Sequence, residues 1–134
     1  MIQLPPTTTC VLICSLLALS ACGQRDKSLA EVSGDVTFCG QPAVAEVMFE
    51  PLSNTGQSTG RASTATSDES GRFRLRLDDE HTGAKIGRHR VTIRVQRIIA
   101  AGDVPDGLSG AMKATHLTRE VQSGGNEFHF RLTF

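Results

Sequence analysis

The chain has 134 residues with 14 basic and 14 acidic side chains, so its formal net charge is zero. This balance argues against nucleic-acid binding and against a general role in binding acidic ligands. Tyrosine and tryptophan are absent and the aromatic residues are six phenylalanines, which disfavours a carbohydrate-binding module built on aromatic platforms.

An uncharged apolar run covers residues 10–21 and ends in small side chains. A membrane-spanning helix needs about 20 apolar residues, so this run is too short to span, and a short run of this kind is typical of a secretory signal. Residues 1–9 hold no Lys or Arg, which departs from the usual basic start of such signals. We expect residues 1–21 to be a removable signal peptide; the alternatives are a signal without lipidation and a buried helix.

Residues 19–22, Leu-Ser-Ala-Cys, resemble a bacterial lipobox, in which a lipoprotein signal peptidase cleaves before a cysteine that is then acylated. The resemblance implies lipidation of Cys22 and a protein held to a membrane of the cell envelope, on the periplasmic or surface side. Gly23 stands where an aspartate often retains lipoproteins in the inner membrane, so the outer membrane is weakly favoured in a cell that has one.

The distribution of cysteines agrees with this interpretation. Cys10 and Cys14 lie in the removable segment and Cys22 follows it, so Cys39 is the remaining thiol. A single cysteine cannot form a disulfide within the mature chain. We expect Cys39 to be a small residue at a turn, with a free thiol or an intermolecular partner as the alternatives.

Residues 22–30 are polar and short, which predicts a lipidated tether, and residues 31–134 form a unit large enough to bury a core. Within that unit apolar and polar side chains alternate with a period of two, which predicts β-strands. In chain order the predicted strands cover residues 32–38, 46–50, 61–67, 72–77, 90–95 and 126–134.

The segments between these strands carry turn signals. Residues 39–42 are predicted to break the first strand, and residues 68–71, Asp-Glu-Ser-Gly, predict a tight turn. Residues 98–118 are rich in Gly and Ala and long for a connection, so we expect this segment to be functional or partly disordered. Several short strands with Gly-rich turns predict a β-sandwich or a small barrel.

Residues 32–38, 66–73 and 86–93, in this order, resemble the carboxypeptidase regulatory-like domain, which has a transthyretin-like (prealbumin-type) fold. The middle segment is the most specific, because it places an Asp-x-x-Gly turn before a phenylalanine. His89 stands where that family usually has an aromatic residue. The resemblance spans residues 30–134 and implies an all-β, seven-stranded Greek-key β-sandwich that serves as a non-catalytic accessory, adhesive or structural module.

The sequence shows no group of residues with the types and spacing of a catalytic or metal-binding site. The four histidines, His81, His89, His116 and His129, lack metal-ligand spacing, and no Gly-x-Ser-x-Gly nucleophile elbow is present. A hydroxyisourate hydrolase of the transthyretin-like type would need a terminal Tyr-Arg-Gly-Ser, which the chain lacks. We expect no catalytic residue, no metal and no cofactor; the alternative is a small hydrolase or a metal-binding protein. His89 shares an apolar face with Val91 and Ile93, which predicts a core histidine.

One charge pattern is basic. Six arginines alternate along two successive predicted strands, namely Arg72, Arg74, Arg76, Arg88, Arg90 and Arg94. If these strands pair, their guanidinium groups line one surface and could bind an anion such as a lipid phosphate. The alternative, which the zero net charge favours, is a solvated face balanced by Glu46, Glu50, Asp78, Asp79 and Glu80.

Together these features predict a non-catalytic lipoprotein of the cell envelope. Its lipid would hold it to a membrane, and its domain would act as a binding or structural module. The partner would be an envelope protein that the sequence does not identify, and nucleic acid is not expected as a partner.

Overall fold

Nine β-strands and no helix make up the regular structure of the computed structural model, which describes residues 27–100, 102–103 and 113–133. These ranges therefore hold no helix that is long and apolar enough to cross a membrane. The strands are β1 (Leu29–Phe38), β2 (Gln41–Pro51), β3 (Ser63–Thr66), β4 (Arg72–Arg74), β5 (Ala84–Lys85), β6 (Gly87–Ile98), β7 (Gly102–Asp103), β8 (Lys113–Val121) and β9 (Gly125–Leu132). The prediction of an all-β fold is confirmed for these ranges; the seven-stranded Greek-key arrangement stays a prediction. The predicted signal peptide, residues 1–21, and the predicted lipidation site, Cys22, lie outside the described residues.

Strands β1 and β6 are each the centre of a hydrogen-bonded ladder. We call the first the β1 ladder, in which β1 pairs antiparallel with β4 and parallel with β9. In the second, the β6 ladder, β6 pairs antiparallel with β2 and with β8, and β3 extends β2. Strand β2 joins the two ladders, because Gln41 and Pro42 pair with β1 while the rest of the strand pairs with β6.

The two ladders face each other across a shared apolar core. The ring of Phe49 in β2 lies 5.6 Å from the ring of Phe128 and 6.3 Å from that of Phe130, both in β9. Strand β2 beyond Pro42 belongs to the β6 ladder, and β9 belongs to the β1 ladder. The ring contacts therefore connect the two ladders. The buried apolar residues are Ala30, Val32, Val36, Phe38, Ala43, Ala45, Val47, Phe49, Phe73, Leu75, Ala84, Val91, Ile93, Val95, Val121 and Phe130.

Both predicted turns are present. Cys39 and Gly40, between β1 and β2, have φ angles of 49° and 80°, and two successive positive φ values are the pattern of a type I′ hairpin. The Cys39 thiol is free and exposed. In the second turn the side chain of Asp68 accepts hydrogen bonds from the amides of Ser70, at 2.9 Å, and Arg72, at 3.0 Å.

The start of β1 differs from the prediction. The strand begins at Leu29, inside the predicted tether of residues 22–30, and Leu29 pairs with Lys85 of β5. Local alternation in the sequence does not reveal this pairing, because the two residues that make it are far apart along the chain. Strand β1 therefore includes the last two residues of the segment that was predicted to be a tether.

The segment predicted to be a long connection, residues 98–118, also differs from its prediction. It contains the two-residue strand β7 and the first part of β8, which pairs with β6 along its length. Pairing with β6 places residues 113–118 in a strand, although the Gly and Ala content of the connection predicts a loop. Residues 101 and 104–112 of this connection lie outside the described residues.

Candidate binding groove beside strand β9

The predicted arginine surface is not continuous. Arg72 and Arg74 lie on β4, in the β1 ladder, whereas Arg88, Arg90 and Arg94 lie on β6, in the other ladder. Strands β4 and β6 do not pair within the described residues, so the condition for a single six-arginine surface is not met. The chain crosses from one ladder to the other between these strands, which the alternation of residues does not show.

Carboxylates neutralise half of these arginines. The ion pairs are Arg74–Glu31 at 2.6 Å, Arg90–Glu50 at 3.3 Å and Arg94–Glu46. Arg76 and Arg88 donate instead to backbone carbonyl oxygens, at 2.6 Å to Asp79 and at 3.2 Å to Ser53. Two of the carboxylates named in the balanced-face alternative, Glu46 and Glu50, therefore each pair with one of the six arginines.

A groove of about 400 Å³ runs beside β9. It is lined by Leu117 and Arg119 of β8 and by four consecutive residues of β9, residues 129–132. Because successive side chains of a strand point to opposite faces, a groove that touches four residues in a row follows the edge of the strand. Its volume falls within the range of ligand-binding clefts, about 300–1,000 Å³.

Strand β9 presents an unpaired edge to this groove. It pairs with β1 from Gly125 to Leu132, and no described strand pairs with its other edge. The amide of Cys39 donates to the carbonyl oxygen of Leu132 at 2.8 Å, so the backbone groups of Leu132 face β1. Because alternate residues direct their N–H and C=O groups to opposite edges, those of His129 and Arg131 face the groove.

Two arginines of the groove lack a carboxylate partner. Elsewhere, ion pairs with carboxylates occupy Arg61, Arg74, Arg90, Arg94 and Arg97. Three further described arginines form no such pair, namely Arg72, Arg76 and Arg88. Within the described ranges Arg119 and Arg131 form none. The guanidinium group of Arg119 lies 5.4 Å from the ring centroid of Phe130 and donates to the carbonyl oxygen of Thr118 at 2.8 Å.

The chemistry of the groove suits an extended peptide with an acidic side chain. The free edge of β9 offers backbone hydrogen bonds, as in peptides that bind by adding a strand to a sheet. Leu117 and Leu132 supply partly buried apolar contacts, and Arg119 and Arg131 supply guanidinium groups, which bind carboxylates with two parallel hydrogen bonds. The sequence gives no sign of this site, because the edge exists only through the pairing of β9 with β1.

The histidines make separate structural contacts. Nδ1 of His81 lies 2.7 Å from Oδ1 of Asp78, and this hydrogen bond holds the pKa of Asp78 below its usual range. His129 contacts Asp35 through Nδ1, and the side chain of His116 lies outside the described part of the chain. Among the described residues, no three His, Cys, Asp or Glu side chains form a group that could hold a metal ion.

His89 lies in the core, as predicted from its position in the alternating pattern. Its side chain is 1% exposed, and its ring centroid lies 5.7 Å from that of Phe49. Nε2 lies 2.7 Å from the carbonyl oxygen of Lys85, so this nitrogen carries the proton of the neutral ring, and Nδ1 has no hydrogen-bond partner. Burial lowers the pKa of His89, and the hydrogen bond to Lys85 opposes this in part.

We expect the free energy of unfolding to fall as the pH drops below 6.5, the ordinary pKa of histidine. The unfolded chain takes up this proton at a higher pH than the folded chain does, because burial lowers the pKa of His89 in the fold. One proton sets an upper limit of about 1.4 kcal/mol per pH unit on the slope. Urea unfolding between about pH 7.5 and pH 5 measures this slope. His89→Phe should reduce the slope of the free energy of unfolding against pH. An equal slope in the variant would mean that other groups cause the pH dependence.

No family model matches the chain, and no curated protein matches it. Among solved structures, a leucine-rich repeat protein from Bacteroides thetaiotaomicron is similar over 78% of this chain, with 11% sequence identity and a TM-score of 0.35. This chain covers 12% of that protein. A likeness of this size carries no conclusion about fold or function.

Proposed function

We propose that this chain is a lipoprotein of the cell envelope whose all-β domain is a non-catalytic module that binds a partner protein. The observation that carries the proposal is the Leu-Ser-Ala-Cys sequence that ends at Cys22, followed after six residues by the first strand at Leu29. A folded domain that begins so soon after a lipobox-like cysteine is the arrangement expected of an anchored lipoprotein.

The strand arrangement supports a transthyretin-like domain of the carboxypeptidase regulatory type as the finer description of the fold. Of the nine described strands, β5 and β7 have two residues each, which leaves seven longer strands in two facing ladders. The segments that carry the sequence resemblance lie in β1, in the turn before β4 and in β6. The buried His89 occupies the position where that family has an aromatic side chain.

A non-catalytic role is supported by the contacts of the polar side chains. His81, His89 and His129 are each engaged in a structural contact with a different partner. The groove beside β9 instead brings together an unpaired strand edge, apolar side chains and two arginines, which are groups that bind rather than react. We propose that the partner, an envelope protein, presents an extended acidic segment to this groove.

The lipid anchor is tested by replacing Cys22. Cys22→Ser should abolish labelling with a fatty-acid analogue and release the protein from the membrane fraction, because the acyl chains are then absent. Cys39→Ser is the matched control, since it removes the exposed thiol at the β1–β2 turn and should leave both readouts unchanged. Labelling that persists in Cys22→Ser would contradict the proposal.

The groove is tested by charge reversal. Arg119→Glu combined with Arg131→Glu should greatly reduce the amount of envelope protein that is cross-linked to the anchored chain, because an acidic segment would then face two carboxylates. Arg61→Glu is the control, since the side chain of Arg61 is 69% exposed, contacts Asp78 and does not line the groove. Equal cross-linking in all three proteins would show that the partner binds elsewhere.

A further inference from the structure

Two exposed isoleucines mark the opposite ends of the domain. Ile86 is 43% exposed and Ile99 is 42% exposed, and they are the exposed large apolar residues of the described chain. They flank the twelve-residue strand β6, so a rise of about 3.3 Å per residue separates them by about 40 Å. The amide of Ile86 donates to the carbonyl oxygen of Ser28 at 2.9 Å, and that of Ile99 to Pro42 at 3.1 Å.

The hydrogen bond to Ser28 places Ile86 where the tether enters the domain. Cys22 lies seven residues before Leu29, and a fully extended chain spans at most about 3.6 Å per residue, or about 25 Å in all. A lipid on Cys22 therefore keeps the start of β1 close to the bilayer. Ile99 lies beside the other end of β1, which is ten residues long, so about 30 Å further along.

The charges beside Ile86 suit an anionic lipid surface. Lys85 precedes Ile86 and is exposed, and Lys27 precedes Ser28 and is also exposed. The described carboxylates form no ion pair with either lysine, although acidic groups lie on the neighbouring Asp78–Glu80 turn. Ile86 thus follows one lysine in the chain, and its amide bonds to the residue that follows the other. An exposed isoleucine with lysines nearby can enter the headgroup region while the ammonium groups contact lipid phosphates.

We propose that Ile86, Lys85 and Lys27 form a docking surface for the bilayer that carries the lipid anchor. This inference rests on the proposed lipidation of Cys22 and specifies how the domain sits on the membrane. The β1–β2 turn with Cys39 then points away from the bilayer, and so does the groove beside β9, because residues 129–132 pair with the second half of β1. The groove is thus open to a partner in the space beyond the membrane.

The test places a fluorophore at either end of the domain. Acylated protein with Cys39→Ser and either Ser28→Cys or Ile99→Cys is labelled with an environment-sensitive dye and reconstituted into vesicles of phosphatidylethanolamine and phosphatidylglycerol that contain a quencher-bearing lipid. Ser28 is exposed and bonds to Ile86 through its backbone oxygen, so the dye lies at the proposed docking surface while Ile86 is kept. We expect a blue-shifted emission and several-fold stronger quenching at position 28 than at position 99. Equal quenching at both positions, or stronger quenching at 99, would overturn the proposal.

A variant with a longer tether shows whether the domain contacts the bilayer through the docking surface or lies near it only because the tether is short. A flexible polar linker of about twenty residues, inserted after Arg25, lets the domain move tens of ångströms from the bilayer. Quenching at position 28 should persist in this variant and should fall when Lys27→Glu and Lys85→Glu are added. Loss of quenching on insertion alone would contradict a docking surface. A chain without the acyl group would not float with the vesicles, so failure of the anchor is distinguished from failure of the docking.

Discussion

Replacing Phe49 by alanine is expected to lower the free energy of unfolding by about 3–5 kcal/mol, the range for a buried phenylalanine that leaves a cavity. Phe49 is fully buried, and its ring contacts those of Phe128 and Phe130 across the core. The substitution therefore removes the side chain that joins the β1 and β6 ladders. Urea unfolding monitored by circular dichroism measures the change.

Ile99→Ala is the control for this substitution, because it also shortens a large apolar side chain but at an exposed position. We expect a change within about 0.5 kcal/mol for this variant, as for most surface substitutions. If Phe49→Ala were as stable as Ile99→Ala, the two ladders would not share the core described above.

Gly34→Ala is expected to destabilise the fold by about 3 kcal/mol, the upper end of the usual cost of overpacking. A Cβ atom at position 34 would lie 1.8 Å from the carbonyl oxygen of Phe128, which is backbone and cannot rotate away. Gly34 and Phe128 are paired residues of β1 and β9, so the methyl group would push these two strands apart. Thermal unfolding gives the change in stability.

Gly125→Ala is the matched control for Gly34→Ala, since Gly125 lies in the same pair of strands and a Cβ atom there meets nothing within 4 Å. Its melting temperature should stay close to that of the unaltered protein. Comparable losses in the two variants would mean that β1 and β9 do not approach each other as described.

Much of the fold is local and can be read from the sequence. Alternating side chains predict β1, the central part of β2 and β6, because one face of each strand is buried and the other is not. The turn at Asp68 and the buried position of His89 follow from the same short-range rules. In each case the residues that decide the structure lie within a few positions of one another.

The remaining features depend on contacts between distant residues. The parallel pairing of Glu31 with Gly125 brings the end of the chain beside its first strand, and no local pattern specifies it. The same is true of the separation of β4 from β6, which divides the six arginines between two ladders. Arg119 and Arg131 become a candidate site only because that parallel pairing leaves the far edge of β9 unpaired.

Under the two proposals above, the two ends of the domain would have different tasks. The end with Ser28 and Ile86 would contact the bilayer, and the end with Cys39 and Ile99 would extend away from it. Because β9 runs parallel to β1, residues 129–132 lie beside the second half of β1, near the end with Cys39. Anchoring and partner binding would then use separate surfaces, which substitutions could disrupt independently.

The most direct test of the central claim is the mass of the mature amino-terminal peptide, obtained from the protein purified from membranes of its own cell. We predict that this peptide begins at Cys22 and carries acyl chains, with residues 1–21 removed. A peptide that begins at any other residue, or one that begins at Cys22 without an acyl group, would contradict it.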